Sequence, residues 1–172
     1  MQYTHFEVDE SLKSMVILVD TREQDTPTLH RRLEGLNCPF EREKLDSGDY
    51  SCKYTLPDGT IHRLNAMVER KMNVDELCNC FTKGRARFER EFERAKESET
   101  KIYLLIENGS MDNVLNGKYR SKMEPSSLSA SLLAWSIRYG FITHFCKPEN
   151  TGLLIYKILR YELKELLESE GV

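Results

Sequence analysis

Apolar and polar positions follow two rhythms along this chain, and the switches between them lay out an alternation of strands and helices. Met15-Val16-Ile17-Leu18-Val19 is an unbroken apolar run ending at Asp20, the pattern of a short strand covered on both faces. Leu29, Leu33 and Leu36 then recur at helical spacing behind Thr26 or Thr28, either of which can start a helix. Gly35 and Asn37 can close it before a strand around Phe40 to Leu45. Tyr50 to Leu56 and Thr60 to Lys71 flank the turn signal Pro57-Asp58-Gly59, which predicts two strands joined tightly. Asn73, with Glu76 three residues on, predicts a capped helix through Leu77 and Phe81. Phe88, Phe92 and Ala95 form the buried stripe of another after Gly84. Ile102 to Ile106 reads as a second buried strand, Ser126-Ser127 as the start of a helix holding Leu128, Leu132, Trp135 and Tyr139, and Phe141 to Cys146 as a further strand. The last helix, Thr151 to Glu168, places Leu154, Ile158, Tyr161 and Leu166 at helical spacing. The class predicted is α/β, built on a mixed or parallel sheet.

The chain has 172 residues and 40% hydrophobic content, enough for one domain with a sizeable core. No stretch approaches the run of about 18 apolar residues that a membrane span needs. Met1 to Ser14 is polar and acidic, which reads as an N-terminal extension (1–14) to a domain over 15–172 and not as a secretory signal, so an intracellular protein is expected, cytoplasmic if the source is a prokaryote or phage. Five cysteines without a paired CxxC read as reduced thiols, and four scattered histidines make no metal spacing. A net charge of -3 is the opposite of what a dedicated DNA binder usually carries. Its distribution alters that: Lys83, Arg85, Arg87, Arg90, Arg94 and Lys96 outnumber the three interleaved glutamates, and Lys118, Arg120 and Lys122 sit in a loop that is either a phosphate contact or an ordinary solvated one.

Glu69 and Lys71 lie two apart on a predicted strand and so share a face, with Arg70 on the other. Asp20 and Asp49, at two strand ends, could complete an acidic pocket with them. Carboxylates crowded around a lysine are costly unless a hard cation such as Mg²⁺ joins them. Such a cation suits phosphodiester hydrolysis, in which Lys71 would orient the attacking water or neutralise developing charge. Taken alone, the pair reads equally as surface ion pairs at a strand end.

The wider pattern is Asp20-Thr21-Arg22-Glu23, then Gly48-Asp49, then Glu69-Arg70-Lys71 with Asp75 four residues after Lys71. It resembles the GD and ERKxxxD signature of XPF-family nucleases, and the likeness extends over about Val16 to Leu163 through Asp75-Glu76-Leu77-Cys78, Gly84-Arg85 and Ile102 to Ser110. The resemblance implies a restriction-endonuclease-like (PD-(D/E)xK) fold, a central mixed sheet flanked by helices. It implies Mg²⁺, with Mn²⁺ as a substitute, held by Asp49 and Glu69 with Asp20 close by. Lys71 becomes the catalytic lysine, while Glu23, Arg70 and Asp75 support the site and Arg22 and Arg85 lie towards DNA. Asp75 is expected either to favour its helix dipole or to fix Arg85 or Arg70. The gap from Asp49 to Glu69 is longer than in the shortest members, and a longer hairpin at Pro57-Asp58-Gly59 absorbs it. The tandem helix-hairpin-helix domain of many members has no counterpart before Val172, so the expectation is a DNA affinity that is either weak or supplied by a partner protein, one that grips DNA or supplies catalysis. The expected activity is metal-dependent endonucleolytic cleavage of branched or flap DNA in repair or recombination by a homodimer. The other readings are a non-catalytic DNA-structure-binding partner subunit and a restriction-type or recombination nuclease on the same core.

Overall fold

A computed structural model describes residues 3–169, which pack as two compact units: one runs through Met67 and takes up the chain again from Gly152, and the other is Val68–Thr151. The sequence reads as one domain starting at Met15; in the structure the first unit also takes in the segment before it.

That segment holds helix α1 (His5–Lys13), set by a capping box in which the Thr4 hydroxyl accepts from the Glu7 N–H and the Glu7 carboxylate accepts from the Thr4 N–H at 2.7 Å. Val8 and Leu12 are buried, and Ser14 Oγ, at the helix end, accepts the Thr55 N–H at 2.8 Å. Strand β1 (Val16–Val19) follows, its last three residues wholly buried as the apolar run requires. Helix α2 (Pro27–Glu34) is capped by Thr26 and has proline in its first turn, where the missing N–H costs nothing. Strand β2 (Phe40–Arg42) pairs parallel with β1, Ile17 facing Phe40, while β3 (Tyr50–Thr55) pairs antiparallel on the other side, Ile17 facing Cys52.

The hairpin expectation needs correction. Thr60 to Lys71 is not one strand: β4 (Ile61–Arg63) pairs with β3 across the Pro57-Asp58-Gly59 turn, and the chain then breaks before β5 (Ala66–Lys71). Ser51 Oγ donates to the carbonyls of Leu64 (3.4 Å) and Ala66 (2.8 Å), so a side chain on β3 stitches down the backbone on both sides of the break. The sheet runs β2-β1-β3-β5 in the first unit, with β4 on β3, and β5-β6-β7 in the second; β5 contributes to both, and the sheet is mixed. Helix α7 (Thr151–Ser169) buries Ile155, Ile158, Leu159, Leu163 and Leu167; of the residues read at helical spacing Ile158 faces the core, whereas Tyr161 is 57% exposed. Gly152 is where α7 meets the end of α2, and a Cβ there would lie 2.2 Å from the Arg32 carbonyl.

The second unit continues with α3 (Val74–Phe81), capped by Asn73 as predicted, α4 (Arg85–Glu97), β6 (Lys101–Glu107), a short α5 (Met111–Leu115) capped by Ser110, α6 (Pro125–Tyr139) and β7 (Ile142–Cys146), which is parallel to β6. Helix α5 is unforeseen. Its core is aromatic: Phe81, Phe88 and Phe92 each meet the Trp135 ring at 5.0 to 5.8 Å between centroids, so Trp135 is core, as its place on an apolar stripe indicates. Such pairs contribute about 0.5–1.5 kcal/mol each beyond their buried area.

Candidate active site

Asp20 ends β1 with its side chain fully buried. Oδ1 accepts the Arg22 backbone N–H at 2.8 Å and Nε at 2.6 Å, and Oδ2 accepts the Leu45 N–H at 2.7 Å and Arg22 Nη2 at 3.2 Å. Burial alone would push this carboxyl up, but the Arg22 hydrogen bonds, the Leu45 N–H and the Arg22 charge outweigh it, so its pKa lies below the ordinary carboxylate value. A carboxylate has about four lone-pair sites, and all are engaged. Asp20 therefore fits an anchor for the turn after β1 and does not fit a metal ligand.

Arg22, expected near DNA, is half exposed and turned onto Asp20, with Nη2 also reaching the Gly48 carbonyl at 3.4 Å. Asp49 is half-buried, and its carbonyl accepts the Asp20 N–H at 2.9 Å, tying the two acidic motifs through backbone. Gly48 before it has φ +74°, and a Cβ would lie 2.6 Å from Met67 Sδ, so this position needs glycine twice over. Glu23 Oε2 accepts Arg32 Nη1 at 3.0 Å and the Tyr50 hydroxyl at 3.1 Å. Sequence reasoning missed Arg32 and Tyr50, since nothing local marks a buried arginine on α2 as the partner of Glu23.

In the second unit, Glu69 and Lys71 point to one face of β5, as their spacing requires, and Lys71 Nζ lies 2.6 Å from Glu69 Oε1. Both residues are buried, and the ammonium also sits 5.0 Å from the Phe88 ring centroid. They line a cavity of about 440 Å³ together with Glu76, Cys80, Phe88 and Glu91. Burial drives the Glu69 pKa upward, the Lys71 charge opposes this, and Glu91 and Glu76 add to the rise. A buried carboxylate with acidic neighbours is the kind of group that a divalent cation stabilises, so Glu69 fits the oxygen ligand of a hard metal. Among the described residues, no group of three or more histidine, cysteine, aspartate and glutamate side chains is gathered for a metal ion.

Arg70, on the opposite face, pairs with buried Glu107 at 3.2 Å, and the second Glu107 oxygen accepts the Thr151 hydroxyl at 2.6 Å. Of the two readings of Asp75, the structure has the first: it lies in the first turn of α3, where its charge favours the helix dipole, and its hydrogen bonds go to neither Arg85 nor Arg70. Its Oδ1 accepts the backbone N–H groups of Arg120 and Ser121 at 2.8 and 2.7 Å. Arg85 is exposed, its guanidinium 5.0 Å from the Trp135 ring centroid.

The ERCC4 domain family matches residues 19–158, and the chain belongs to that family. Its fold is the restriction-endonuclease-like α/β fold of XPF nuclease domains. XPF from Aeropyrum pernix superposes with a TM-score of 0.61 at 23% identity, covering 84% of this chain and 65% of that one. XPF from Aeropyrum pernix in complex with DNA gives 0.60 at 25% identity, covering 87% and 66%. The chain thus spans just under two thirds of those solved chains. No curated protein matches. Among the described residues, no helix is long and apolar enough to cross a membrane.

Proposed function

We propose that this chain is a divalent-metal-dependent DNA endonuclease that hydrolyses phosphodiester bonds in flap or branched DNA during repair or recombination. The observation that carries this reading is the buried Glu69–Lys71 pair opening onto a cavity with two further carboxylates. DNA in the complex of an XPF from Aeropyrum pernix supports the choice of substrate.

In this reading Lys71 places its ammonium to orient the attacking water and to neutralise charge building on the phosphate. Glu69 and Asp49 are assigned to the cation, a number of carboxylates that suits Mg²⁺ or Mn²⁺, which commonly takes only one or two with water and substrate phosphate completing the shell. What the cation supplies when bound is Lewis acidity, lowering the pKa of water and polarising a phosphate oxygen. Asp20, with its oxygens engaged, positions the turn behind Asp49, Glu23 braces it through Arg32 and Tyr50, and Arg70 holds β5 to Glu107. Arg22 and Arg85 are assigned to the DNA backbone. Two copies pairing through the face of α6 that exposes Leu133 and Ile137 would complete the enzyme inside the cell, with a partner protein adding grip on DNA.

The test is cleavage of labelled flap, fork, four-way junction and plain duplex DNA with Mg²⁺ or Mn²⁺, beside EDTA and Asp49→Ala controls. Metal-dependent cutting that disappears in both controls is expected. Binding without cutting of any of the four would replace this reading with that of a non-catalytic DNA-structure-binding subunit.

A further inference from the structure

The loop over residues 117–124 carries Lys118, Arg120 and Lys122, all exposed, alternating with Tyr119, Ser121 and Met123, all partly buried. None of the three basic side chains forms an ion pair among the described residues. Exposed basic loops usually owe their charge to solubility, and such a loop has no need of a fixed backbone. This one is held by hydrogen bonds at Lys118, Tyr119, Arg120, Ser121 and Met123. Lys118 N–H donates to the Asn113 carbonyl at 3.0 Å, Met123 N–H to Ser121 Oγ at 3.2 Å, and the Tyr119 hydroxyl to the Met123 carbonyl at 2.8 Å. The centre of the loop is held by Asp75, one carboxylate oxygen of which takes two successive N–H groups from a segment 45 residues away.

The first turn of α3 gives this arrangement its place. Asp75 leaves it towards the loop, and its neighbour Glu76 lines the cavity of Glu69 and Lys71, its own carboxylate fixed by the Met72 N–H at 2.6 Å. One helical turn therefore sets both a wall of the cavity and the backbone of the basic loop. Resting on the DNA-cleaving reading above, we propose that this loop grips the phosphates of the DNA strand beside the cavity and that Asp75 is the positioning residue that holds it in shape. A protein whose total charge is -3 needs such local, unneutralised positive charge to engage a phosphate backbone. A preformed loop loses less conformational entropy on binding than a mobile one.

The experiment is fluorescence anisotropy with labelled flap and duplex DNA, titrated at several salt concentrations. The proteins are wild type, the triple variant Lys118→Ser/Arg120→Ser/Lys122→Ser, Asp75→Asn and Asp75→Ala. Each phosphate contact contributes about 0.9 to the slope of log affinity against log salt on duplex DNA, so the triple variant should lose roughly 2–3 from that slope. Asp75→Asn keeps an oxygen acceptor and should bind within about twofold of wild type. Asp75→Ala should bind roughly tenfold more weakly, with faster hydrogen exchange at the Arg120 and Ser121 amides. An unchanged slope in the triple variant overturns the proposal, whether or not Asp75→Ala folds. Wild-type protein that cuts DNA beside that unchanged slope leaves the nuclease reading standing, whereas wild type that neither binds nor cuts removes both.

Discussion

Lys71 Nζ and Glu69 Oε1 stand 2.6 Å apart in a place where both residues are less than a tenth exposed, so each charge has the other as its replacement for water. Breaking a buried pair from one side typically costs about 3–5 kcal/mol, because the remaining charge is stranded. Lys71→Met is expected to destabilise the protein by that amount and to lower the cleavage rate by at least about 100-fold. The double variant Glu69→Gln/Lys71→Met should regain much of the stability and none of the cutting. Urea unfolding beside a cleavage assay checks both, and a double variant no more stable than Lys71→Met alone would contradict this account of the pair.

Asp20 and Glu69 give stability opposite dependences on pH. The folded-state pKa of Asp20 is depressed, so its stabilisation is complete above the ordinary carboxylate range and is lost as pH falls through the lowered value. Asp20→Asn should cost about 2 kcal/mol at neutral pH, in line with hydrogen bonds to a charged group, and the gap to wild type should close in acid. Glu69 is raised, so stability falls as pH climbs from the ordinary range to the raised value, and Glu69→Gln should flatten that decline. Urea unfolding at points between about pH 3 and about pH 8 separates the two.

Arg85 covers the ring of Trp135, the one tryptophan in the sequence, which makes the indole a built-in reporter for this arginine. DNA that engages the Arg85 guanidinium should alter Trp135 emission on titration. Arg85→Ala should abolish that change and weaken binding by a few-fold, as expected for one backbone contact in a salt-sensitive interface. A full emission change in the variant would count against Arg85 as the DNA contact.

Gly48→Ala adds a Cβ at a left-handed backbone position and presses it against Met67. The conformational cost is about 1–2 kcal/mol, and the flexible thioether can yield part of the steric one. The more telling loss should be activity, since the turn that presents Asp49 has to shift. Cleavage is expected to fall further than thermal stability would account for, measured at a temperature where the variant is fully folded.

The elements readable in advance were those with a local cause. The runs ending at Asp20 and Glu107 are strands because nothing polar interrupts them, Asn73 starts a helix because its side chain reaches the Glu76 N–H, and the two-residue period of β5 separates Glu69 and Lys71 from Arg70. What escaped depends on distant partners. The break between β4 and β5 is held by Ser51 on another strand, and the role of Asp75 is decided by amides in a loop no local pattern connects to it. Thr4 and Glu7 did spell a capping box, hidden by the acidity of the surrounding segment. Helix α7 was placed, but helical spacing by itself did not separate buried Ile155, Leu159 and Leu163 from exposed Tyr161.

The turn at the tip of the β3–β4 hairpin has nothing within 4 Å of a Cβ built on Gly59, and the Ile61–Arg63 strand beyond it is exposed throughout. Chain can be added there at little energetic cost, since loop closure depends only weakly on length. A fluorophore, an affinity tag or a whole DNA-targeting module could be spliced in at Gly59 while the turn at Gly48 and the pair on β5 keep their own supports, which makes this hairpin the natural port for adding new parts to the chain.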